Sequence, residues 1–208
     1  ENVIPDSGDY TLSVWLKADS GNTGARTIVS QSDTSGSPFY FGSNSASDTS
    51  GTIKMTEDWK DLKSKIFYLD NNWHYYTIVN DGIIGDSATI IDTSVLYIDG
   101  VLIAKSMGEG KSYPKDEKFF IATMWDSSGE YFSGLIDGVS IWDRKLAEDE
   151  VSSLYNSGLG MDPTADTLNY LASSNLIGFW PFNEGADSSV ADYSGSGYDG
   201  QIIGASWV

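Results

Sequence analysis

The chain has 208 residues, 40% hydrophobic and 13% aromatic, which is enough to build the core of one all-β domain. Against 12 basic residues stand 30 acidic ones, and the formal net charge of −18 repels nucleic acid, polyanionic glycans and anionic membranes. No cysteine is present, so disulfides, thiolate-bound zinc and thiol catalysis are excluded, and no apolar run reaches the roughly 18 residues of a membrane span.

Residues 10–17 alternate, with Tyr10, Leu12, Val14 and Leu16 on one face and Thr11, Ser13, Trp15 and Lys17 on the other. Period-2 alternation predicts a strand, and the tryptophan on the second face predicts that this face is also partly covered. Short strands follow at 26–31, 39–41 and 52–55, separated by Gly, Ser, Asp and Asn. The mixed-charge stretch 56–65 reads as a loop around Trp59. Residues 73–79 form a strand entered from the Asp70-Asn71-Asn72 turn, and 81–93 reads as a long loop with a strand-like piece at 88–91. Asp99-Gly100 joins the β-rich runs 94–98 and 101–104 and favours a type I′ hairpin, since both residues tolerate positive φ. Strands at 118–124 and 131–142 come next. Residues 147–156 predict a helix, with Glu148, Asp149 and Glu150 at its positive end and Val151, Leu154 and Tyr155 as its apolar stripe. Ser157-Gly158 stops it, a polar connection runs over 159–175, and apolar strands at 176–182 and 201–203 close the chain.

Several of these pieces resemble one family. They are the 10–17 strand, Asn72-Trp73-His74-Tyr75-Tyr76, Leu96-Tyr97-Ile98-Asp99-Gly100-Val101, Phe132-Ser133-Gly134-Leu135-Ile136-Asp137-Gly138-Val139, the helix region 146–158, and Phe179-Trp180-Pro181-Phe182-Asn183-Glu184-Gly185 with the loop after it. Together they are similar to the laminin G-like, concanavalin A-like lectin/glucanase domains. The resemblance implies an all-β, two-sheet antiparallel jelly-roll sandwich with one short helix, spanning 1–208 as one domain. It also places the family's opening strand at the C-terminus, in circularly permuted order. Three arrangements follow: the tail 176–208 completes its own sheets, it completes a neighbouring copy by strand exchange, or the chain is cut from tandem repeats. Self-completion is the expected one, because it leaves no apolar sheet edge bare.

The resemblance further implies a calcium ion, structural or ligand-bridging, where the opening strand's loop meets the closing strand. On this chain that corresponds to Asp137, Asn183, Asp192, Gly197 and Asp199. Asp137 sits in a mostly apolar strand, where a carboxylate needs a counter-ion or hydrogen bonds. The other reading is that Asp137 accepts backbone N–H bonds and Asp199-Gly200 is a plain turn. For a sugar ligand, Trp125 leaves a strand into a polar loop with Asp126 and Glu130 beside it, and Tyr40 and Trp59 are further aromatics in or beside loops. Each of these three rings has a second reading as a cover for an apolar edge. Trp15, Trp73, Trp142 and Trp180 match core positions of the family, and His74, the one histidine, is expected to be a satisfied strand residue.

The resulting expectation is a non-catalytic glycan- or glycoprotein-binding module of a secreted or cell-surface protein, monomeric, with neither nucleic acid nor membrane insertion. A structural or adhesive module assembling by strand exchange is the runner-up. A glycoside hydrolase is the third reading, since no strand carries a same-face run of carboxylates of the kind retaining chemistry uses.

Overall fold

Alternating sequence becomes two packed sheets. The computed structural model describes residues 2–5, 8–19, 24–32, 39–43, 53–57, 60–64, 68–84, 90–110, 118–124 and 129–208. Its strands are β1 (Tyr10–Ala18), β2 (Arg26–Ser32), β3 (Phe39–Ser43), β4 (Ile53–Glu57), β5 (Lys60–Ser64), β6 (His74–Ile84), β7 (Ile90–Ile98), β8 (Val101–Gly110), β9 (Lys118–Ile121), β10 (Gly134–Trp142), β11 (Leu176–Trp180), β12 (Ser189–Val190) and β13 (Gly200–Gln201). One helix, α1 (Glu148–Tyr155), lies between β10 and β11.

One sheet has six strands in the order β11-β10-β1-β6-β7-β8, and the other has five in the order β5-β4-β3-β2-β9. Every strand pairing in them is antiparallel. Strands β12 and β13 form a separate small ribbon in the tail. The expected hairpin is present: Asp99 and Gly100 take φ of 54° and 74°, and Asp99 Oδ1 accepts the Tyr75 N–H at 2.8 Å.

Between the sheets lies the main core. Tyr10, Leu12, Val14 and Leu16 face Ile28, Val29, Phe39 and Phe41 across it, with Ile78, Ile98, Val139, Ile141 and Trp180 alongside. The two seams of the sandwich are covered. Strand β5 packs beside β8 at one seam, and at the other Phe119 of β9 stacks on Trp180 of β11 with centroids 5.3 Å apart.

A second core covers the outer face of the six-stranded sheet, as Trp15 foretold. There Val151 and Leu154 of α1, with Tyr170 and Ala172 of the connection, bury Tyr75, Val79, Tyr97 and Trp142. The connection is anchored rather than merely polar: Trp142 Nε1 donates to the Tyr170 hydroxyl at 2.9 Å, which donates to the Pro163 carbonyl at 2.7 Å. The tail pairs with its own chain, with β11 alongside β10 and Trp180 opposite Val139.

Some expectations need correcting. Residues 60–64 form an edge strand rather than part of a loop, and β6 and β7 run on through much of 81–93. Trp73 is not a core residue: it precedes β6 and is 41% exposed, whereas Trp142 and Trp180 are buried. His74 is a satisfied strand residue, its Nδ1 2.7 Å from Asp99 Oδ2 and its ring stacked on Tyr68 at 4.1 Å. Among the described residues, no helix is long and apolar enough to cross a membrane.

One irregularity positions the chemistry. Ser13 pairs with Ser140 and Trp15 with Asp137, so Val14 stands against two residues, Gly138 and Val139. This is a β-bulge in β10, with Gly138 at φ 52°. A regular strand would send side chains three apart to opposite faces. The extra residue shifts the phase, so Ile136 points into the main core before the bulge and Val139 and Ile141 after it. Asp137 and Ser140 thereby share the outer face.

Candidate functional site

That outer face carries a cleft of about 330 Å³ beside α1. Trp15 of β1, Tyr75 of β6 and Phe179 of β11 supply its aromatic lining, and Asp137 and Ser140 of β10 supply polar groups. Asp162 of the connection and Asn183 after β11 complete the polar set. The Trp15 and Tyr75 rings lie 4.9 Å apart, tilted by 36°, and Tyr155 of α1 holds the indole from another side at 5.9 Å. The connection crosses the indole at Gly160, where an added Cβ would stand 3.5 Å from Trp15 Nε1. At Gly138 an added Cβ would stand 3.3 Å from Trp15 Cδ1, so the bulge glycine leaves room for the ring.

Asp137 is the electrostatic centre of this cleft. Its Oδ1 accepts one bond, from the Gly138 N–H at 2.8 Å, and among the described residues it has no cationic partner. Desolvation by the neighbouring cleft residues pushes its carboxyl above the usual carboxylate range while the side chain stays open to solvent, and the Gly138 bond only partly offsets this. Asp162 differs: its Oδ1 accepts from the Thr164 N–H at 2.9 Å and the Thr164 hydroxyl at 2.7 Å. Asn183 is exposed, and its side chain makes no hydrogen bond among the described residues.

A raised acid is proton-loving in the folded state. Its contribution to stability is therefore full below the ordinary value of 3.8 and is lost as pH rises through the folded value. Asp137→Asn keeps the acceptor oxygen and removes the charge. It is expected to raise the melting temperature at pH 7 and to lose that gain in acid. Melts at the two pH values check this, and equal curves at pH 7 would show that the charge is unstrained.

The ten candidate residues from the sequence fall in separate places. Asp137 and Asn183 come together in the cleft. Asp192 and Asp199 instead organise the tail loop. The Asp192 carboxylate accepts bonds from the N–H groups of Phe179, Ser194 and Tyr198 and from the Ser194 hydroxyl, and Asp199 Oδ1 accepts the Asp192 N–H. Desolvation works against the Asp192 charge, but these donors outweigh it and hold its carboxyl below the ordinary range. Gly197 takes φ 83° in the turn of that loop. The five residues thus do not make one donor set, and among the described residues no three His, Cys, Asp or Glu side chains gather in a metal-holding group.

On the five-stranded sheet, Tyr40 and Glu130 do meet, around Thr27. Glu130 Oε2 accepts the Thr27 hydroxyl at 3.2 Å. The Tyr40 hydroxyl is directed to the Ser43 and Arg26 carbonyls, at 2.9 and 3.2 Å, and the ring lies over Gly42. Desolvation, with Glu130 nearby, raises the phenol well above its usual value. Tyr40 therefore covers a sheet surface and spends its polar group inside the fold. Trp125, Asp126 and Trp59 lie outside the described residues.

Trp15, Tyr75, Ser140, Asp162 and Phe179 were missed as cleft residues by sequence reasoning. Two signals pointed toward the place: an aromatic on the polar face of β1, and a glycine straight after an acid in an apolar strand.

A laminin G-type model of the concanavalin A-like lectin/glucanases superfamily matches residues 1–152. The chain belongs to that superfamily. A search of curated protein sequences gives no match. Among solved structures, it is similar to domain 4 of AbnA, an extracellular GH43 arabinanase from Geobacillus stearothermophilus, in complex with arabinotriose. The TM-score is 0.54 at 17% identity, over 73% of this chain and 68% of that one. It is also similar to the botulinum neurotoxin serotype G binding domain, with a TM-score of 0.51, 19% identity, and 74% and 37% of the two chains. A third likeness is to tailspike protein 2 of Escherichia coli O157:H7 bacteriophage CAB120, with a TM-score of 0.52, 10% identity, and 86% and 24% of the two chains. At these identities the likeness is one of fold, a jelly-roll sandwich of the concanavalin A-like type.

Proposed function

We propose that this laminin G-like chain is a non-catalytic carbohydrate-binding module of a secreted or cell-surface protein, and that a sugar occupies the Trp15–Asp137–Asn183 cleft. The observation that carries the reading is the juxtaposition of a tilted aromatic pair with a carboxylate that has no cationic partner and an amide that has no hydrogen bond among the described residues. A pyranose or furanose has apolar C–H faces and hydroxyl edges, and an aromatic ring beside a few fixed polar groups is the general recipe for holding such a molecule. The arabinanase domain, similar in fold, carries arabinotriose in its structure and comes from an extracellular enzyme, which supports both the ligand class and the location. The connection is held by Tyr170 and by Glu150, whose Oε1 accepts the Leu171 N–H.

Calcium belongs to this reading in its ligand-bridging form. Asp137 and Asn183 would supply two oxygen donors, and sugar hydroxyls and water would fill the remainder of the six to eight that the ion takes. Glycan-array binding tests the main reading. Trp15→Ala and Asn183→Ala should each abolish the signal while circular dichroism shows an intact sandwich; an unchanged array pattern in both would remove the sugar from this cleft.

A hydrolase reading has one observation in its favour: two carboxylates, Asp137 and Asp162, line the same cleft, and that of Asp137 is raised. Release of reducing ends from a polysaccharide, abolished by Asp137→Asn, would replace the binding module with an enzyme.

A further inference from the structure

The cleft has a sign. Among the described residues its lining includes two carboxylates and no lysine, arginine or histidine. Asp137 stands directly across the strand pair from Trp15, so carboxylate and indole flank the same space. The whole chain carries −18, which enriches cations and depletes anions around any concave acidic surface. A glycan with carboxyl groups would enter against this field and meet no cationic side chain among the described lining residues. A neutral sugar would leave the Asp137 charge partly desolvated and unmatched. A protonated amine would neutralise Asp137, hydrogen-bond its second oxygen and lie beside the Trp15 indole across the strand pair.

We propose that the preferred ligand of the cleft is an amino sugar with a free, protonated amine, its ammonium held between Asp137 and Trp15. This rests on the reading of the cleft as a sugar site and adds the ligand's charge. A volume of about 330 Å³ suits one sugar residue or a chain end rather than a long stretch of polysaccharide. For such a ligand the ammonium takes the place at Asp137 that a bridging calcium would hold with a neutral sugar, so calcium competes with the amine.

The test is calorimetric titration of the full chain at near-physiological salt with glucosamine disaccharide, its N-acetylated counterpart, arabinotriose and sialyllactose, first in EDTA and then in calcium. The glucosamine disaccharide should bind about tenfold more tightly than the acetylated form, and sialyllactose should not bind. Asp137→Asn should level the preference, Asp187→Asn, which removes the same charge from a residue that does not line the cleft, should keep it, and calcium should weaken the amine's binding. If amine and acetylated forms bind alike, if Asp187→Asn levels them equally, or if binding requires calcium, the proposal falls while the sugar site stands. If no saccharide binds, the sugar site and the proposal fall together.

Discussion

Trp180→Ala should be the most damaging single substitution in the sandwich, with a loss of about 3–5 kcal/mol. The side chain is 3% exposed and joins three parts of the fold. It lies in the main core opposite Val139 of β10, stacks on Phe119 of β9, and donates its indole N–H to the Tyr198 carbonyl at 2.8 Å. Truncation opens a cavity under Gly178, whose backbone is packed so closely that an added Cβ would stand 2.8 Å from the Trp180 ring. It also removes the indole N–H bond to the Tyr198 carbonyl and unstacks one seam. For a domain of this size the melting temperature should fall by roughly 6–20 °C. Trp180→Phe, which keeps most of the ring but not the donor, should cost distinctly less. A loss below about 1 kcal/mol for the alanine variant would mean that β11 is not integral to the sheet.

Glu150→Ala should come next, at about 3 kcal/mol or more. Glu150 is 6% exposed and collects four bonds. Arg144 grips its two oxygens at 2.8 and 2.5 Å, and the N–H groups of Ala147 and Leu171 donate to it at 2.9 and 3.2 Å. Ala147 opens the helix without an oxygen of its own, so Glu150, reaching back to it, does the capping alone. Removing the carboxylate leaves the Arg144 guanidinium without its counter-charge, with only the Lys145 carbonyl as acceptor among the described residues, and two backbone donors without partners. Acid should imitate the substitution. Desolvation raises the Glu150 carboxyl, but Arg144 and the two backbone donors outweigh it, and the net value is lowered from 4.5. A depressed acid gives stability that is full above its unfolded value and lost as pH falls through the folded one. The wild-type midpoint should therefore decline below about pH 4.5, and the variant should decline less steeply over that range. Parallel pH profiles would show that the network is not coupled to folding.

Much of the architecture was written in local pattern. The alternation around Tyr10–Leu16, the Asp99-Gly100 turn, the acidic opening of α1 and the apolar run at 176–180 each fix an element from within a few residues. What escaped was non-local. Lys60-Asp61-Leu62-Lys63-Ser64 has weak strand propensity and becomes β5 because it pairs with β4 at a sheet edge, where charge is a common guard. Asp137 and Asn183 were visible as candidates, but Trp15 read as packing and Asp162 as part of a polar linker. The cleft exists only when positions near 15, 75, 140, 162 and 180 are folded together, and no short window holds that information.

The bulge at Gly138 has an evolutionary reading. Gaining or losing one codon there would switch which side of β10 faces solvent on one flank, creating or erasing the acid of the cleft in a single step. Relatives with an uninterrupted strand at this place should then show the jelly roll without the charged recess, so the length of this one strand marks which of them carry the acid on the outer face.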